Sequence, residues 1–116
     1  MSYSFFLVLD VNGGHAFDVD RLHKCLARMP GVRGLWAPPR LLCQFDFNDD
    51  STEIALVDDQ CLSIRGIGDA SLQAALEIQR SYGGDVHAVD PESCFEIPLS
   101  VVNSLEELRR MIASAS

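Results

Sequence analysis

An α+β domain, with an antiparallel sheet carrying its helices on one face, is the fold class this sequence predicts. Three observations point there. Short apolar or alternating segments end at Asn-, Asp- and Gly-rich breaks, as strands do. Three other segments repeat their apolar residues at helical spacing behind recognisable caps. At 116 residues, 47% hydrophobic and 22% charged, the chain has the size and composition of one globular domain, expected over residues 1–116.

Phe5-Phe6-Leu7-Val8-Leu9 is almost wholly apolar, as in a strand at the middle of a sheet. Asn12-Gly13-Gly14 breaks it. Asp18 stands where an N-cap would accept free amides of a first helix, with Phe17 and Leu22 at the spacing of a hydrophobic staple. Val19, Leu22, Leu26 and Met29 form that helix's stripe, and Pro30-Gly31 stops it. Gly34-Leu35-Trp36-Ala37-Pro38-Pro39 predicts an irregular loop, because each proline lacks an amide donor and restricts the residue before it. From Leu41 the period becomes two: Leu41, Cys43, Phe45 and Phe47 point one way, Gln44 and Asp46 the other. Asn48-Asp49-Asp50-Ser51 is a turn by composition. Ile54 to Val57 and Leu62 to Ile64 are strand material, joined by Asp58-Asp59-Gln60 as either a hairpin turn or a bulge in one long strand.

Gly66-Ile67-Gly68-Asp69 leads into a second helix, with Asp69 as its expected N-cap. Leu72, Ala75, Leu76 and Tyr82 make the stripe, and Gly83-Gly84 closes it. Gln79 lies inside that stripe, either as a hydrogen-bonding residue or as a gap. Val86 to Val89 predicts a strand. Phe95, Ile97 and Leu99 alternate, and Pro98 confines their strand to an edge. Ser104-Leu105-Glu106-Glu107 matches a capping box ahead of a third helix carried by Leu105, Leu108 and Ile112. A strand, a helix, an antiparallel pair, a helix and a strand make the split βαβ, or ferredoxin-like, arrangement, here with an extra C-terminal helix.

Seventeen acidic against nine basic residues give a formal net charge of −8, a field that repels phosphate backbones and disfavours nucleic-acid binding. It fits solubility or a basic protein partner. The first apolar run is too short for a signal-peptide core or a membrane span, so no membrane association is expected. Cys25, Cys43, Cys61 and Cys94 are widely spaced, which predicts reduced thiols and a cytoplasmic protein.

Most familiar chemistries fail on spacing. Gly13-Gly14-His15 lacks the lysine of a phosphate loop. Gly66-x-Gly68 has Ser71 where a dinucleotide fingerprint needs glycine. Asp46-x-Asn48-x-Asp50 has Ser51 and Val57 where a calcium loop needs glycine and glutamate. No paired ligands at short spacing suggest zinc, and neither metal nor cofactor is expected. Cys61 and Cys94 lie near turns that His15 and His87 could approach, but nothing in the sequence brings thiol and imidazole together. Asp85, Asp90 and Glu92 around His87 make the best acid/base cluster, with a solvated loop end as the better account.

Two readings remain. The first is a non-catalytic, protein-directed binding module, its contact anchored by Trp36 with Arg33 and Arg40, residue types enriched at interface anchors. Trp36 folding back over the sheet edge is the alternative for that residue. The second is a small-molecule sensor or enzyme with a site near His15, Gly66, Gly68 and His87. Arg65 is expected to pair with an aspartate. An uncovered sheet face or edge would favour a homodimer. In size, acidity, unpaired cysteines and lack of a catalytic constellation, the chain resembles small acidic bacterial immunity-type proteins. That resemblance implies a non-enzymatic partner of a basic toxin domain and assigns no residues.

Overall fold

The computed structural model describes residues 3–9, 15–90, 92 and 95–115. Its strands are β1 (Ser4–Val8), β2 (Val32–Trp36), β3 (Leu42–Phe47), β4 (Asp50–Asp58), β5 (Cys61–Arg65), β6 (His87–Asp90) and β7 (Phe95–Pro98). Its helices are α1 (Val19–Arg28), α2 (Asp69–Tyr82) and α3 (Leu105–Ala115), the last preceded by a 3-10 turn at Leu99–Val101. The strands form one seven-stranded sheet in the order β2-β3-β4-β5-β1-β6-β7, and every neighbouring pair is antiparallel.

The α+β class and the antiparallel sheet match the expectation; the simple ferredoxin-like order does not. The antiparallel pair expected between α1 and α2 is a four-strand meander, β2 to β5. Two strands exceed the pair: residues 54–64 are divided between β4 and β5, and β2 lies in a stretch where the prolines predicted a loop. Pro38 and Pro39 do restrict the chain, but only after Trp36, so Val32–Trp36 still pairs with β3. The pairing is interrupted between Arg33 and Trp36, where Gly34 takes φ 64. Asp58-Asp59-Gln60 proves to be the hairpin turn rather than a bulge in one long strand: Asp59 and Gln60 join β4 to β5, and the register also shifts beside the turn, between Leu56 and Asp58.

Period-two alternation puts Phe5, Leu7, Cys43, Phe45, Ile54, Leu62, Ile64, Ala88, Phe95 and Ile97 on one sheet face, all buried. The helices lie on that face. α2 packs across β3, β4 and β5, α1 rests against α2 and β2, and α3 against α2 and β7. β7 tolerates Pro98 because it is the sheet edge. As expected, Asp18 caps α1, accepting the Arg21 amide at 3.2 Å, and Ser104 Oγ accepts the Glu107 amide at 3.1 Å.

The cap of α2 differs from expectation. Gly68, not Asp69, occupies the N-cap position and has no side chain to offer. Asp50, at the start of β4, reaches over instead, its Oδ2 accepting the Ala70 amide at 3.0 Å. Asp69 turns outward to Arg109. Sequence spacing cannot reveal a cap donated from 20 residues away. Gln79 is resolved as a hydrogen-bonding residue: its amide donates to the Gly84 carbonyl at 2.9 Å and accepts from the Val86 amide at 3.0 Å, clamping the turn between α2 and β6. Arg65 pairs with Glu53 at 3.8 Å rather than with an aspartate, since strand register sets the two side by side on the sheet.

Candidate docking surface

No helix among the described residues covers the second face of the sheet. Among the described residues, Ser4, Phe6 and Val8 of β1, Leu42, Gln44 and Asp46 of β3, and Glu53 and Ala55 of β4 lie on it. Cys61, Ser63 and Arg65 of β5, His87 and Val89 of β6, and Glu96 of β7 complete it. Cross-strand register aligns one row from edge to edge: Trp36, Leu42, Ala55, Ser63, Phe6, Val89 and Glu96. Beside it runs Cys61, Val8, His87 and Pro98, with Val57 at the end of β4. Both rows are mainly apolar, and Trp36 and Val57 are 56% and 59% exposed.

The charges on this face largely neutralise one another. Arg33 donates to Asp46 at 2.7 Å and to Gln44 at 2.9 Å. That hydrogen bond holds the Asp46 carboxyl below its ordinary range and raises Arg33. Glu53 lies 3.8 Å from Arg65. Each ring nitrogen of His87 faces a carboxylate, Nδ1 with Glu96 at 2.8 Å and Nε2 with Asp85 at 3.2 Å. Counting Arg40, and Asp58 opposite Cys61, three arginines face five carboxylates on and around the face, so most of the −8 lies elsewhere. A basic partner drawn by charge alone would therefore address the rest of the surface.

Two of the three residues proposed as an anchor are thus placed by a strand rather than by a loop. Arg33 and Trp36 share β2 and point to the open face, while Arg40 is exposed in the turn before β3. Trp36 does not fold over the edge. Alternation could not reveal this, because the interruption in β2 breaks the period that would have identified the strand.

The residues of the alternative small-molecule site are not brought together. The Gly66 amide donates to Tyr3 at the start of β1, at 2.7 Å. His15 lies near the opposite end of the sheet, where the Phe17 amide donates to Asp59 in the β4–β5 turn at 2.6 Å. Gly68 lies under the Asp50 carboxylate, and His87 is on the open face. Gly13, Gly14 and Cys94 lie outside the described residues. In the acid/base cluster, Asp85 reaches His87, whereas Asp90 is buried and accepts from the Tyr3 hydroxyl and the Glu92 amide. Asp46 and Asp50, the would-be calcium ligands, are engaged by Arg33 and by the α2 amide.

Burial raises the Cys25 thiol and pushes Cys43 up to about 11; Cys61 also rises to about 11, through burial and then the nearby Asp58. Such thiols stay protonated at neutral pH, the reverse of an activated nucleophile. An open groove of about 730 Å3 between β7 and α3 is lined by Glu96, Ile97, Glu107, Arg110, Met111 and Ser114, without histidine or cysteine. Among the described residues no three histidine, cysteine or carboxylate side chains gather as metal ligands, and no helix is long and apolar enough to cross a membrane.

The sheet edges are poor templates for an added strand. β7 is four residues long and ends in Pro98, and β2 is interrupted and followed by two prolines. The broad surface left for contact is the face. Comparison with protein-family models, with curated proteins and with solved structures finds no match.

Proposed function

We propose that this chain is a non-catalytic, protein-directed binding module that docks through the open face of its sheet. One observation carries the reading: an uncovered seven-stranded face with apolar rows through its centre and Trp36 exposed at its border. Apolar area of this kind, rimmed by polar side chains, marks interaction surfaces rather than ordinary solvated ones. Trp and Arg at its margin are the residue types that concentrate binding energy. The ion pairs of Arg33, Arg65 and His87 support it further, since they leave few unpaired charges to desolvate on contact.

The test is affinity capture with the intact chain as bait, beside Phe6→Glu and Trp36→Glu variants. The reading expects retained protein to be lost with either variant while Asp20→Lys, on α1 and away from the face, keeps it. Retention unchanged by both face substitutions would refute docking here.

A further inference from the structure

We infer that the occupant of the open sheet face is a second copy of this chain, packed face to face about a two-fold axis parallel to β5. The inference rests on reading that face as a protein-docking surface, and names its partner.

Shape comes first. A twisted sheet face is best covered by a surface of matching twist, and two like sheets pack aligned with their faces about 10 Å apart. Seven strands at about 4.8 Å spacing and about 17 Å long project to roughly 500 Å2, and more as corrugated accessible area. The corrugated area approaches the low end of specific interfaces, which bury about 600–1,000 Å2 on each partner. The chain itself presents a surface of this extent and twist.

Charge then selects both partner and axis. Two molecules of charge −8 repel least where that charge is thinnest, and on this face most acidic groups are matched by basic ones. The residual charge is also polarised. Beyond the Arg33–Asp46 pair, the β2–β3 side adds Arg40. The β6–β7 side carries Asp85 and Glu96 around His87. β5 is the fourth of seven strands, the middle of the sheet. An axis along it lays the β2–β3 side of one copy over the β6–β7 side of the other. Position along the strands is preserved by that axis. Arg40 follows the register of β3 past Leu42 towards Val57, the end of the sheet where Cys61, Val8 and His87 align and where Asp85 contacts His87. The axis therefore sets Arg40 over the acidic corner of its mate, twice per dimer. An axis across the strands would instead lay the β2–β3 side over the same side of its mate with the strand ends exchanged, and Arg40 would not meet the acidic corner.

Sedimentation velocity from micromolar to sub-millimolar concentration tests this. The expected species has twice the 12.8 kDa of one chain. Phe6→Glu and Trp36→Glu should leave monomers. Trp36 is exposed and outside the core, so its variant keeps the test sound if Phe6→Glu fails to fold. Arg40→Glu or Asp85→Arg alone should weaken the dimer by about tenfold, and the two together should restore it, because each contact is reversed in sign at both ends. A wild-type chain that stays monomeric throughout overturns the inference, as does a dimer indifferent to Trp36→Glu, or a double reversal no tighter than the singles. If the wild type is monomeric but a captured protein is lost with the face variants, docking stands and only the second copy falls. If capture is also indifferent to them, docking falls as well.

Discussion

The cap that Asp50 lends to α2 makes Gly68 and Asp50 a coupled pair. A Cβ built on Gly68 would lie 2.4 Å from Asp50 Oδ2, and the three nearest atoms it would meet all belong to that carboxylate. The backbone there has φ −73, open to any residue, so alanine meets no strain beyond this contact. In Gly68→Ala the carboxylate must move, and moving forfeits its bond to the Ala70 amide. The loss resembles that of Asp50→Ala: about 1 kcal/mol for the cap and up to about 1 more for a carboxylate at a helix N-terminus. Each single variant should thus lose about 1–2 kcal/mol, or roughly 3–8 °C in Tm for a domain of this size. In the double variant the obstacle is gone, and Gly68→Ala should add only the ordinary penalty of alanine at an N-cap, below about 1 kcal/mol. Urea unfolding of the four proteins closes the cycle, with an expected coupling of about 1 kcal/mol or more. Strict additivity would show that Asp50 does not cap α2.

Three further outcomes follow from the same contacts. Gln79→Ala should cost about 1–3 kcal/mol, because it strands the buried Val86 amide, and hydrogen exchange at Val86 should accelerate; unchanged exchange would argue against the clamp. Asp18→Ala should lose about 1 kcal/mol in denaturant unfolding, with Asp18→Asn losing only a few tenths. For Cys43 the folded thiol titrates near 11 against about 9 when unfolded. The unfolded chain therefore ionises first and binds fewer protons, so stability is full below pH 9 and falls between about 9 and 11. Cys43→Ala should flatten that decline in pH-dependent unfolding, and an equally steep slope would count against burial as the cause of the shift.

Sequence periodicity was informative wherever an element buried one regular stripe. The strand from Leu41, the capped α1 and the Ser104 cap of α3 were legible because local chemistry and burial agreed at those places. Three features were not. β2 was hidden because its pairing breaks between Arg33 and Trp36, which removes the alternation that announces a strand. The Asp50 cap was hidden because it joins residues 20 apart. Strand order was hidden because adjacency depends on which inner faces pack beneath α2, and local patterning does not encode that. Of the candidate surface, Trp36, Arg33 and Arg40 were visible as residue types. That Phe6 lies on the same surface emerged only from register across β5, β1 and β6.

β1 leads the described chain, yet in space it lies between β5 and β6, strands completed only at Arg65 and Asp90. During synthesis at about 5–20 residues per second, Phe5, Phe6, Leu7 and Val8 must wait roughly 3–11 s for the first of those neighbours and longer for the second. For that interval the most apolar segment of the nascent polypeptide has both flanks open, so chaperone capture or self-clumping competes with productive closure. Ribosomal delivery, not only the finished architecture, is then a point at which this polypeptide can fail.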